Sequence, residues 1–348
     1  MSELSRHRED ERMERPNTVA TVANSQPAFR HVMACVDTSA LARKVIPHAV
    51  AIAKAMEAAL TLVRVLEPAP TGEGPPDPVE WDIRRHQARD HLAQLVQEQR
   101  DEAGRIEVEV VEGHPAEKIS LWARDHRVDL TVLATHGEGG STEWDLGSTA
   151  RKIIDRAPGL VLLVPPSAPE ARIVHYRRLL VPLDGSSRAE STLPLALRLA
   201  KAEGAELLLA HVVPVPELTE VGPLEAGDLE LRGQLVRRNE RVAHDYLDRI
   251  RARVVKGGIS ARTLVLCDGD VRSRLARAIV DEAVDLVVLS AQGRSGHSDV
   301  PFGSVAAYLI AHAVAPLLIM CRHSTRATRR VAAAGGGTGG RLPSHAMQ

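Results

Sequence analysis

The sequence predicts an α/β protein built from two open parallel sheets in tandem. Three observations carry this. Short apolar runs rich in β-branched residues alternate with longer, more polar stretches, as in parallel strands joined by crossover helices. The alternation runs through five strands and then starts again. Finally, a strand, a Gly-containing loop and a helix start recur near the end of each half. Asp129-Leu-Thr-Val-Leu-Ala134 leads into a loop holding Gly137 and Gly147, and Asp285-Leu-Val-Val-Leu289 into one holding Gly293, Gly296 and Gly303. Gly137 to Gly147 and Gly293 to Gly303 have the same spacing.

Residues 1–28 are polar and of mixed charge, the composition of a disordered arm. His31-Val-Met-Ala-Cys-Val-Asp37 reads as the first strand, with Asp37 at its carboxyl end. Thr38 and Ser39 are candidate caps for a helix running to about Glu57. Ala58 to Leu66 reads as the second strand and Pro68 to Pro78 as a Pro/Gly-rich loop. A long polar helix follows, to about Ala103. Arg105 to Val111 alternates like a strand exposed on one face. Gly113-His-Pro115 reads as a turn with Pro at a helix start, that helix ending near Arg127. The fourth strand and its loop lead to a helix over Ser148 to Arg156, and Leu160 to Val164 is the fifth strand.

Residues 167–175 read as a linker. Arg178-Leu-Leu-Val-Pro182-Leu-Asp184 then repeats the first strand, and Gly185-Ser186 the helix start, with a helix to about Gly204. Glu206 to Val213 is the next strand. A longer loop from Pro214 to Gly227 precedes a helix to about Lys256. Ile259 to Leu266 is a strand, and Gly269-Asp270-Val271 repeats the Gly113 turn without its Pro. Ser304 is expected near the cap of the last helix, and Pro316 to Met320 closes the second sheet. Residues 323–348 are rich in Arg, Ala and Gly and read as a disordered tail. The resulting domains are 29–166 and 176–322. Asp37 and Asp184 lie 147 apart, whereas Gly147 and Gly303 lie 156 apart. The difference of nine fits an insertion, most simply in the Pro214 to Gly227 loop.

Composition bounds the function. With 348 residues, two domains are expected. A formal net charge of −1 provides no general attraction for nucleic acid or an anionic membrane, and 2% aromatics leaves few stacking platforms. No run reaches the roughly 18 apolar residues of a membrane span. The charged amino terminus is no secretion signal, so a cytoplasmic protein is expected. Cys35, Cys267 and Cys321 are widely spaced and odd in number, which suits buried free thiols in a reducing compartment. His114 and His136 lack a metal-ligand pattern and read as solvated loop residues, so no metal site is expected. No P-loop, no nucleophile elbow and no strand-one Gly fingerprint occur, which leaves catalysis without visible machinery.

The two loops, each with Gly-x9-Gly-Ser after a fourth strand, resemble those of the universal stress protein family, and the whole repeat is similar to a tandem member. The resemblance implies the strand order 3-2-1-4-5 in each half and helices on both faces. It implies an adenine-nucleotide site, for ATP or cyclic AMP, where strands one and four diverge, with ATP bringing Mg²⁺. It implies that Asp37 and Asp184 contact the base, that Pro182, Val212 and Leu289 line its pocket, and that Gly137, Gly147 and Ser148, or Ser290, Gly293, Gly296, Gly303 and Ser304, cradle phosphates. Such a site suits the residue types. A carboxylate accepts from an exocyclic amine, and glycines before a helix start bring N–H groups to an anion. Ala134 and Ser290 stand where the family pattern has its first Gly.

The first loop carries Glu138, Glu143 and Asp145 and no Lys or Arg, while the second carries Arg294, Asp299 and His297. Charge therefore favours the second half for a polyphosphate. The expected function is a nucleotide-sensitive stress-response regulator without dedicated catalysis, slow ATP hydrolysis aside. The alternative is a nucleotide-free interaction module, its halves packed through their last strands as a pseudo-dimer. Ala134, Ser290 and the acidic first loop favour that alternative. The paired Asp residues favour nucleotide. Protein partners and a further homodimer stay open, and a hydrolase or ligase on the same sheet lacks a motif.

Overall fold

The computed structural model describes residues 29–68, 78–99, 104–136, 146–156, 159–216, 226–267, 269–294 and 301–321. The first half contains β1 (His31–Cys35), α1 (Leu41–Met56), β2 (Ala59–Leu66), α2 (Pro78–Glu98), β3 (Ile106–Glu112), α3 (Pro115–Asp125), β4 (Leu130–Ala134), α4 (Ser148–Arg156) and β5 (Leu160–Val164). The second contains β6 (Arg178–Pro182), α5 (Ser187–Glu190), α6 (Leu193–Glu203), β7 (Glu206–Val212), α7 (Ala226–Lys256), β8 (Ala261–Leu266), α8 (Val271–Asp281), β9 (Leu286–Ser290), α9 (Ser304–His312) and β10 (Leu317–Met320).

The two halves share one ten-stranded sheet, in the order β3-β2-β1-β4-β5-β10-β9-β6-β7-β8. Each half has the expected order 3-2-1-4-5 and is parallel within itself. The halves meet where β5 and β10 pair antiparallel, Leu162 opposite Leu318 and Val161 opposite Ile319. Every residue of β5 is buried, as befits a run with no polar side chain in the middle of a covered sheet. At the outer edge, β3 exposes Glu107 and Glu109, charges that discourage further strand pairing.

Helices cover both faces. One core, under α1, α2, α6 and α7, runs from Val32 through Leu162 to Leu318 and Leu286. The other, under α3, α4, α8 and α9, runs from Met33 through Val161 and Leu163 to Ile319 and Leu289. Both cores cross the boundary between the halves. Helix α1 also packs on α6, where Arg198 Nη2 donates to Met56 O at 2.7 Å. Residues 167–175 are accordingly no loose tether. Lys44 donates to Pro166 O, Arg172 Nε donates to Glu98 O, Ala168 is buried, and Tyr176 is buried against His48 of α1.

Several local expectations change. Thr38 and Ser39 do not cap α1. Its cap position is Ala40, and Ser39 instead donates its N–H and hydroxyl to Asp37 Oδ1, forming a turn ahead of the helix. Ser304 is the first residue of α9 and Gly303 its cap. The helix expected from Ser186 to Gly204 breaks at Ser191–Thr192, because Pro194 has no N–H for the carbonyl of Glu190 and its ring crowds that carbonyl. Ser186 does cap, accepting from Ala189 N–H. Asp270 replaces the missing Pro at α8 by accepting from the N–H groups of Arg272 and Ser273. The insertion falls partly in a helix. Ala88, Leu92 and Leu95 of α2 occupy the buried places of Ala243, Leu247 and Ile250 in α7, and α7 begins roughly two turns before the residue that matches Pro78. Among the described residues no helix is long and apolar enough to cross a membrane.

Candidate functional site

In a parallel sheet whose strand order reverses, adjacent loops diverge and leave a crevice at the strands' carboxyl ends. Each half has such a point, between β1 and β4 and between β6 and β9. In the first half it opens into a cleft of about 530 Å³. Asp37 follows β1, Val65 to Glu67 close β2, Ala134 ends β4 and His136 follows it. Gly147, Ser148 and Thr149 bring in the start of α4, where Ser148 and Thr149 are exposed. The cleft thus joins a carboxylate to a helix amino terminus with its unpaired N–H groups. Arg64 and Arg84 complete the wall on the β2 side. Ser39 donates both its N–H and its hydroxyl to Asp37 Oδ1.

The base of each loop is pinched by the same bond. Gly147 N–H donates to Thr135 O at 2.9 Å, and Gly303 N–H to Ala291 O at 2.8 Å. The central loop segments, with Gly137, Gly296, Glu138, Glu143, Asp145, His297 and Asp299, lie outside the described residues. Ala134 needs no Gly to end β4, since its φ is not positive. At the matching place the Ser290 hydroxyl donates to Gln292 O at 2.8 Å, so the side chain itself builds the turn.

The second half brings Asp184 and Gly293 into direct contact. Asp184 Oδ1 accepts from Ser186 N–H at 2.9 Å and Oδ2 from Arg294 N–H at 2.6 Å. Burial would push this carboxyl up, but the donors from Ser186 and Arg294 outweigh it and hold its pKa below the ordinary carboxylate value. A Cβ on Gly293 would collide with Asp184 Oδ2, which is why Gly stands there. Gly293→Ala is expected to cost about 2 kcal/mol by breaking the Arg294–Asp184 bond. Chemical denaturation reads this directly, and an unmoved midpoint would mean the contact contributes nothing.

Val212 and Leu289 are buried core residues, 6% and 4% exposed, and Pro182 is half-buried at the end of β6. Beside them His211 Nδ1 lies 2.6 Å from Leu183 O, and Tyr246 donates its hydroxyl to Glu190 Oε1 at 3.0 Å. Burial, then the charge of Glu190, pushes the Tyr246 phenol up.

Sequence reasoning missed Arg64, Arg84, His91 and Tyr246. The available signal was Arg64 itself, one charge inside the apolar run Leu60 to Leu66. His114 is exposed as expected, but His136 is half-buried in the first cleft, its Nε2 enclosed and without a partner among the described residues. No disulfide joins the three cysteines. Cys321 is buried, whereas Cys35 and Cys267 are only partly covered by neighbours. Burial pushes Cys35 and Cys321 up to about 12, which makes them poor nucleophiles. Among the described residues no cluster of His, Cys, Asp and Glu could hold a metal ion.

The family model described as Universal stress protein family matches residues 28–165 and 175–320. A universal stress protein of Synechocystis sp. is 28% identical over 156 residues, covering 42% of this chain and 97% of that protein. One of Mycobacterium tuberculosis is 25% identical over 223 residues, covering 62% of this chain and 66% of that protein. Two solved structures share the fold across both halves. A universal stress protein from Archaeoglobus fulgidus has a TM-score of 0.59 at 17% identity, covering 85% of this chain and 99% of that one. A functionally unknown protein from Pseudomonas aeruginosa has a TM-score of 0.60 at 17% identity, covering 89% and 98%.

Proposed function

The chain belongs to the universal stress protein family, as two domains in tandem, and from that premise we propose that it binds an adenine nucleotide such as ATP and acts as a nucleotide-sensitive regulator. The observation that carries the reading is the first cleft. Its volume of about 530 Å³ suits a small ligand, and it gathers Asp37, the Gly147–Ser148 helix start and the cations Arg64 and Arg84 around one space. These residues fit an adenine nucleotide: a carboxylate for the base amine, backbone N–H groups and guanidinium groups for phosphates.

Charge along the sequence favours the second loop. Geometry supports the first half instead, because both oxygens of Asp184 already hold backbone donors and the Gly293 backbone lies against them. The same closure favours a second reading for that half, a structural partner that keeps the tandem sheet together and leaves nucleotide to the other.

The test is calorimetric titration of the full chain with ATP and Mg²⁺, beside Gly147→Asp and Gly303→Asp. One site is expected, abolished by Gly147→Asp, whose carboxylate meets the phosphates. Loss only in Gly303→Asp would move the site to the second half. No heat at millimolar ATP would sink nucleotide binding and leave the interaction module.

A further inference from the structure

We propose that the first cleft selects a nucleotide carrying phosphate at two separate places, and that Arg64 reads the second phosphate. The inference rests on the nucleotide reading above and narrows it to a ligand class. The cleft has two anion-attracting ends. One is the start of α4, with Gly147, Ser148 and Thr149 beyond β4. The other is the β2 side, with Arg64 and Arg84. Strand β1 lies between β2 and β4, so the two ends are about two strand spacings, roughly 10 Å, apart. One phosphate group cannot serve both, but a nucleoside can span them.

The guanidinium groups on the β2 side are held in place. Arg64 Nη1 donates to His91 Nδ1 at 3.3 Å, which fixes that ring nitrogen as an acceptor. Arg84 Nη2 donates to Glu67 O at 3.1 Å, and its guanidinium lies 5.1 Å from the Trp81 ring centre. The wall is electropositive enough to be felt by its own members: burial, then Arg64 and Arg43, lower the His91 pKa against an opposing pull from Glu98.

The second half shows what the repeat looks like without this wall. By the register of the paired strands and helices, His211 stands where the first half has Arg64, Tyr246 where it has His91, and Asn239 where it has Arg84. His211 is turned to Leu183 O, and Tyr246 is tied to Glu190. That end offers an aromatic body and a carboxylate, which repels phosphate. The first half therefore presents two guanidinium groups where the matching positions of the second hold His211 and Asn239 with a carboxylate nearby, and only the first suits a doubly phosphorylated ligand.

The experiment compares adenosine 3′,5′-bisphosphate with AMP by calorimetry on the full chain. The bisphosphate is expected to bind at least about tenfold tighter, the scale of one charge-assisted contact. In Arg64→Met the two affinities should fall within about a factor of two. Thermal unfolding checks that this variant is folded, and Arg84→Met, farther along the same wall, provides a second reading of the ratio. Equal affinities in the native chain overturn the selection and leave nucleotide binding standing. A preference that survives both substitutions overturns the assignment of the β2 wall. No binding of either ligand at millimolar concentration overturns the inference together with the reading beneath it.

Discussion

Leu162→Ala is expected to lower the stability of the whole chain by about 3–5 kcal/mol, the cost of a large cavity in a closed core, while both halves still unfold in one transition. Leu162 is fully buried on β5 and faces Leu318 of β10 across the antiparallel seam. The core it belongs to continues from α1 and α2 of one half to α6 and α7 of the other. Neither half can open without exposing the other's apolar surface, so cooperativity follows from the shared core. All three tryptophans, Trp81, Trp122 and Trp144, lie in the first half, which makes the test direct. Tryptophan fluorescence reports the first half and far-ultraviolet dichroism reports both. Coincident urea curves, shifted together by Leu162→Ala and equally by Leu318→Ala, support one cooperative unit. Separate transitions, or a Leu318→Ala variant whose fluorescence curve does not move, would refute it.

The second large effect is acid sensitivity at the seam between α1 and α6. His48 is 4% exposed, its Nδ1 is 2.8 Å from the Tyr176 hydroxyl, and its Nε2 has no partner among the described residues. Burial lowers its pKa from 6.5 to about 4. The sign follows from which state takes the proton first. As pH falls below about 6.5 the unfolded chain binds a proton at His48 and the folded chain does not, so stability drops until about pH 4, where the folded state protonates too. The loss attributable to His48 across that window is about 3 kcal/mol. Above pH 6.5 the ring is neutral in both states and contributes no slope. Urea unfolding of native protein and His48→Leu, from pH 7 to pH 4.5, isolates this contribution. The variant loses the bond to Tyr176 at every pH, a constant offset, but its stability should fall less steeply with acid. Parallel slopes would mean His48 is not held neutral.

Much of this protein was determined by its sequence alone. Short continuous apolar runs alternating with helical stretches bury their surface as a covered parallel sheet, and the recurrence of the Asp37 and Gly147 features at Asp184 and Gly303 marks a duplication. Those are local signals, and strand order came from resemblance to a family with the same loops. The paired Gly-x9-Gly-Ser segments likewise marked where a crevice forms.

What only the tertiary structure decided was the identity of partners distant in sequence. Asp37 and Asp184 are equivalent by position, yet one borders an open cleft while the other is occupied by the N–H of Arg294. No local pattern distinguishes them, because the difference arises from how a loop 110 residues away settles on the carboxylate. The cationic wall of Arg64 and Arg84, with His91 behind it as an acceptor, assembles from a strand and a helix joined by a long connection, and His211, Asn239 and Tyr246 take those places in the second half. The seam shows the same limit. His48 and Tyr176 stand 128 residues apart, and the apparent linker before Tyr176 is pinned because one core takes in its Ala168 together with Tyr176. Periodicity reports which face of an element is buried. It does not report what that face meets, and that meeting sets the charge of the clefts and the unity of the fold.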